Sequence, residues 1–121
     1  MSIKSADVEE SFEANGFRRT HRTKKVVEYQ SITNGKYIYF RTEIGLPEFI
    51  RVVVHPEESL TTLTAHGGTI INTPKDLQHG SNMTRFPKRK HTGVDEIHFG
   101  KALNVASLLA LNTFAKNFHA L

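Results

Sequence analysis

Cationic side chains in this sequence are bunched, and the bunches flank a pair of tyrosines. RRTHRTKK, residues 18–25, places five Lys or Arg in eight positions, and RFPKRKH, residues 85–91, places four in seven. Between them lies ITNGKYIYFR, residues 32–41, where aromatic and charged residues share a strand. Phenol rings stack on nucleobases, and guanidinium groups grip phosphates through paired N–H donors. The mixture suits a single-stranded or phosphate-bearing ligand.

Whether these residues share one face depends on the strands that carry them. Asn34-Gly35 is the strongest short hairpin signal, because a type I′ turn needs positive φ at both central positions. Such a turn opposes Gln30 to Tyr39, Tyr29 to Phe40 and Glu28 to Arg41, the last two being pairs that support a ladder. Side chains alternate across a strand, so Val27, Tyr29, Ser31, Ile38, Phe40 and Thr42 form the core face. Glu28, Gln30, Ile32, Tyr37, Tyr39 and Arg41 then form the other. FIRVVVHP, residues 49–56, reads as a third strand that adds Ile50, Val52 and Val54 to the core and Arg51 and His55 to the tyrosine side. The candidate binding set is therefore Tyr37, Tyr39, Arg41, Arg51 and His55 on the sheet, bordered by Arg18, Arg19, Arg22 and Lys24, with Arg85, Lys88 and Arg89 from the second cluster. The competing reading is that the closing helix covers this face and the tyrosine hydroxyls reach out at its edge.

Other chemistry is poorly represented. RFPKRKH precedes an expected helix start, which could bind phosphate, although Asp95 and Glu96 already place negative charge there. Seven histidines are present, but none are spaced i, i+3 or i, i+4, and neither HxH nor HExxH occurs, so nothing local shapes a metal site. A site assembled from His55, His66 or His79 with Asp76 remains open, as does acid-base work by His55 beside Arg51. There is no nucleophile elbow and no phosphate-cradling glycine loop; HGGT, residues 66–69, reads as a turn rather than as an oxyanion site. No cofactor and no metal are expected, and binding is favoured over catalysis.

The elements that must position these residues begin with a helix over residues 5–15. Ser5 is a competent N-cap, acids fill the first turns, Val8 and Phe12 lie one turn apart, and Gly16 supplies a left-handed stop on which Phe17 folds back. After Pro56, residues 58–74 read either as a helical turn and a strand or as a hairpin, with the threonines favouring strands. Residues 73–91 lack any period and read as a long loop. A closing helix is expected from Thr92, with Asp95 in a capping box, to about Phe118. Its stretch ALNVASLLAL is apolar nearly all round, which implies a central position or cover by a second subunit. The element order is similar to that of double-stranded RNA binding domains, but the turn that carries phosphate-gripping lysines in those domains reads GVDEIHFG here. The chain is not assigned to them.

The predicted fold is thus α+β: an N-terminal helix, an antiparallel sheet of three to five strands, a long loop and a C-terminal helix packed on the sheet, in one domain over residues 1–121. Its 121 residues, 38% hydrophobic and 23% charged, are sufficient for a single core. The absence of cysteine excludes disulfides, thiolate metal sites and a cysteine nucleophile. No apolar run is long enough for a signal peptide or a membrane span, so a soluble cytoplasmic protein is expected. The net charge of +4 is unevenly spread: residues 17–121 carry 15 Lys or Arg against 8 Asp or Glu, an excess that attracts polyanions. These features point to a non-catalytic binding domain for an anionic partner such as nucleic acid, acting as a homo-oligomer through the C-terminal helix. The alternative is a small-ligand binder or small enzyme with a pocket between the sheet and the 73–91 loop, using His55, Arg51 and Tyr39.

Overall fold

The computed structural model describes residues 3–63, 70–72, 74, 77–90 and 96–121. The first helix, α1, spans Ser5–Ala14, and Gly16 follows its C-cap with a φ of 83°, the left-handed stop that a glycine accommodates without strain. Its start differs from expectation: Lys4 is the N-cap, without a side-chain bond, and Ser5 is already helical. Val8 and Phe12 are buried one turn apart, and Phe12 stacks on Tyr29 with ring centroids 4.6 Å apart.

An antiparallel meander follows, with β1 at Phe17–Arg22, β2 at Val26–Ser31, β3 at Tyr37–Arg41 and β4 at Ile50–Val54. Then come a helical turn, α2, at Leu60–Leu63, three short strands, β5 at Ile70–Asn72, β6 at Gln78–His79 and β7 at Lys88–Lys90, the long strand β8 at Glu96–Val105, and the last helix, α3, at Leu108–His119. The sheet order is β1-β2-β3-β4-β8-β5, with β6 and β7 also paired to β8. The fold is α+β, with N- and C-terminal helices and an antiparallel sheet of more strands than the three to five anticipated. The additional strands come from places that read as irregular: β1 from the cationic run, β6 and β7 from the expected 73–91 loop. The expected turn at residues 66–69, Asp76, and the Thr92 and Asp95 of the expected capping box lie outside the described residues.

The β2–β3 hairpin forms, but with a wider turn. Gln30 pairs with Tyr37, Tyr29 with Ile38 and Glu28 with Tyr39, so the ladder is offset by two residues from the type I′ register. Within the turn, Gly35 alone adopts positive φ. Asn34 contributes through its side chain: Oδ1 accepts the Lys36 N–H at 2.9 Å, and Nδ2 donates to the Phe118 carbonyl at 2.8 Å. A shift of two preserves the face on which each side chain lies, whereas a shift of one would have exchanged them. The anticipated core residues Val27, Tyr29, Ile38, Phe40, Ile50, Val52 and Val54 accordingly join one cluster with both long helices.

The long closing helix does not form as one element. Residues 96–105 are β8, which lies between β4 and β5. Leu103 and Val105 enter the helix-side core, and Asn104 and Ala102 are buried on the opposite side. A short apolar run reads equally as a strand buried on both faces or as a buried helix, and here pairing to β4 decides for strand. Ser107 then caps α3, its hydroxyl accepting the Ala110 N–H at 3.0 Å. Leu111, Phe114, Ala115 and Phe118, at i, i+3, i+4 and i+7, are the buried stripe of α3. Among the described residues no helix is long and apolar enough to cross a membrane.

Candidate functional site

Both long helices lie on one face of the sheet, so what covers the other face decides which of the polar side chains a partner can reach. The strand registers arrange that face in rows running from β2 to β8. Glu28, Tyr39, Val53 and Ala102 are in direct register. One row away lie Val26, Arg41, Arg51 and Asn104, where the step from Arg41 to Arg51 continues the β3–β4 register one pair past Phe40 and Val52. On the other side lie Gln30, Tyr37 and, by the same extension, His55.

The middle row is roofed by residues 80–87. Val26, Tyr39 and Val53 form a second, small core with Met83 and Phe86, and the Phe86 ring meets Tyr39 edge-on at 4.9 Å. Tyr39 is fully buried, and its hydroxyl donates to Glu28 Oε2 while accepting the Arg85 backbone N–H at 3.1 Å. Burial first, and then the bond to Glu28, push the phenol well above its ordinary pKa. Tyr39 is therefore packed in the core, with its hydroxyl committed to groups of the chain itself, as in the competing reading of the sequence. The buried Glu28 carboxylate also accepts the Thr20 hydroxyl at 2.7 Å and lies 3.6 Å from the Arg85 guanidinium.

Tyr37 and His55 border a cleft of about 280 Å³ that also involves Lys36, Glu58, Arg85 and Phe86. The Arg85 guanidinium lies over the Tyr37 ring, 4.6 Å from its centroid, and the His55 ring stands edge-on to Phe86. His55 Nδ1 accepts the Glu57 N–H at 3.1 Å. Of the three residues named for a pocket between the sheet and residues 73–91, His55 lines this cleft, whereas Arg51 and Tyr39 do not.

The two cationic clusters differ in how far the chain neutralises them. In β1, Arg19 and Arg22 reach back to Glu9 of α1 at 3.5 and 3.0 Å, and the Glu9 bond raises the pKa of Arg22. Part of the charge asymmetry between residues 1–16 and the rest is cancelled by that contact. Arg18 donates to Gln30, and Lys24 is exposed. In β7, Lys88, Arg89 and Lys90 are all exposed, and none has a carboxylate within 4.0 Å among the described residues. Arg89 lies over the Phe99 ring at 5.0 Å and donates from Nε to His79 Nε2 at 2.9 Å, while His79 stacks on Phe99 at 6.0 Å. Sequence reasoning missed Phe99 and His79 as companions of Arg89, because they meet only once β6 and β7 pair with β8.

Those two short strands flank opposite sides of β8. The His98 carbonyl accepts from Gly80, whereas the next residue, Phe99, donates its N–H to the Pro87 carbonyl, and the C=O and N–H of one trans peptide group point to opposite sides of a strand. Gly100 lies close against β4: an added Cβ would meet the Val54 carbonyl oxygen at 2.5 Å. Among the described residues no three His, Asp or Glu side chains are grouped to hold a metal ion. Compared with known proteins, the chain matches no family model and no curated protein.

Proposed function

We propose that this protein is a binding domain for an anionic, phosphate-bearing partner, with single-stranded nucleic acid as the class that its chemistry fits best. The observation that carries this reading is β7. Three consecutive basic residues stand exposed and without carboxylate partners among the described residues, beside the Arg89–Phe99–His79 stack. Exposed cations next to planar side chains favour a ligand that offers both phosphates and bases. Arg19, Arg22, Lys36 and Arg85, by contrast, are each engaged by a carboxylate of the chain and contribute less to a partner's binding. Binding of a labelled oligothymidylate, followed by fluorescence anisotropy, tests the reading. Affinity should be measurable at low salt and should fall as salt rises, with a log–log slope of about −0.7 per phosphate contacted. No detectable affinity at low salt overturns it.

Self-association through the C-terminal helix has less support than polyanion binding. Leu103 and Leu111 are buried within the chain and Leu108 packs against its core, which leaves Leu109, 78% exposed, as the large apolar side chain that α3 offers. A domain acting as a monomer fits that surface better, and light scattering that reports a dimer would overturn this part of the reading.

A second reading, a small-ligand site, is favoured by the cleft of about 280 Å³ beside Tyr37, His55 and Phe86. Its aromatic walls, with the charged groups of Lys36, Glu58 and Arg85 at hand to orient a ligand, suit such a site. A fragment screen by NMR in which shift changes gather on those three residues supports it; hits scattered over the surface, or none, count against it.

A further inference from the structure

The row beside Tyr39 presents a charge arrangement that the chain leaves unbalanced. Arg41 and Arg51 lie on neighbouring strands at positions that face each other, and like charges placed so in a ladder repel. Both are half-buried. No carboxylate lies within 4.0 Å of either guanidinium among the described residues. Burial lowers the pKa of both, Arg41 lowers that of Arg51 further, and the Glu43 carboxylate, beyond ion-pair distance, offsets part of the effect on Arg41. Arg41 Nε is buried and finds no hydrogen-bond partner among the described residues.

The surroundings orient this pair without neutralising it. Arg51 donates from Nε to Asn104 Oδ1 at 2.6 Å and from Nη1 to Gln78 Oε1 at 3.0 Å, both uncharged acceptors, and among the described residues those two bonds leave other donors of its fork unused. Arg41 Nη1 rests against Gly80, where an added Cβ would stand 2.7 Å away. Gly80 therefore gives that guanidinium the space it occupies. A partly desolvated, unpaired charge is costly, and a chain that keeps two side by side gains from them when an anion is bound.

We propose that Arg41 and Arg51 together seat one phosphate group, beside Gln78 and Gly80 on the face of the sheet opposite the long helices. This rests on the anionic-partner reading and names where one phosphate of that partner is held. Phosphate is the class indicated because two planar forks present more donors than the two oxygens of a carboxylate satisfy, whereas a tetrahedral phosphate accepts from both at once. The same chemistry is offered by a backbone phosphodiester and by free inorganic phosphate.

The test follows the arginine Nε–H resonances and the melting temperature of the whole chain at fixed ionic strength. Wild type, Arg41→Met and Arg51→Lys are titrated with inorganic phosphate, with acetate and with a short oligothymidylate. Phosphate should move the Arg41 and Arg51 resonances saturably and raise the wild-type Tm, and acetate should do neither. Arg41→Met should melt no lower than wild type in chloride and lose the phosphate increment, since a costly charge has been removed along with the site. Arg51→Lys, which keeps the charge but loses the fork, should bind phosphate about tenfold more weakly. Resonances that phosphate leaves unmoved overturn the proposal, as does an Arg41→Met variant that melts lower in chloride yet keeps its response to phosphate. Should Arg41→Met not fold, the wild-type titration and Arg51→Lys decide. Oligothymidylate binding that is unchanged by either substitution removes this seat and leaves the anionic-partner reading standing. Saturable phosphate binding at the two arginines without affinity for oligothymidylate keeps the seat, assigns it to free phosphate and removes the nucleic-acid reading.

Discussion

The side chain on which the far face of the sheet turns is Tyr39. Its phenol joins a buried carboxylate, Glu28, to the backbone of the segment that roofs the sheet, through Arg85 N–H. Tyr39→Phe removes both bonds and keeps the ring, leaving Glu28 less satisfied in a buried position. It should cost about 1–3 kcal/mol in urea denaturation. Tyr29 and Tyr39 both have phenol pKa values raised above the ordinary 10.0, chiefly by burial. A folded-state pKa above the unfolded one contributes stability that is complete below about pH 10 and is lost as pH climbs from there toward the folded value. Tyrosinate absorbance from these two residues should therefore appear together with loss of near-UV dichroism in an alkaline titration. Ionisation of both within a still-folded protein would contradict their burial. That Tyr39 points away from the helices is legible from strand alternation; that residues 80–87 would cover it is not, because the cover is made by Met83 and Phe86, far along the chain in a stretch without periodicity.

Among the elements, the β2–β3 hairpin separates what local sequence determines from what tertiary contacts determine. Asn34-Gly35 marks the reversal correctly, and Gly35 takes the positive φ, but Asn34 spends its side chain on the turn and on the end of α3. A type I′ turn would accept glycine at position 34 at little cost. The observed role predicts the opposite: Asn34→Gly should destabilise by about 1 kcal/mol, measured by thermal or urea denaturation, because the Phe118 carbonyl and the Lys36 N–H lose their partner. A variant as stable as wild type would favour the tighter turn. The core side of β2, β3 and β4 is readable because a two-residue register shift leaves every side chain on its own face. The β8–α3 junction is not readable by period, since residues 102–111 are apolar but for Asn104 and Ser107. The overlooked signal is Ser107, an N-cap in the middle of that run.

At the scale of the whole molecule, the fold sorts the cations. Those near α1 are drawn onto Glu9, Lys36 is held by Glu58, Arg85 lies beside Glu28, and β7 projects Lys88, Arg89 and Lys90 without such partners among the described residues. Net positive charge beyond residue 16 was enough to suggest a polyanion, but the sequence could not indicate which cluster is spent internally. Ion pairing between Glu9 and Arg22 depends on how α1 lies against β1. The most direct measurement is the salt dependence of oligothymidylate affinity for wild type and for a variant carrying Lys88→Ala, Arg89→Ala and Lys90→Ala. Loss of three phosphate contacts should weaken binding at low salt and make the log–log slope shallower by about 2. A variant that binds as tightly as wild type, with the same slope, would contradict the assignment of β7 as the contact surface.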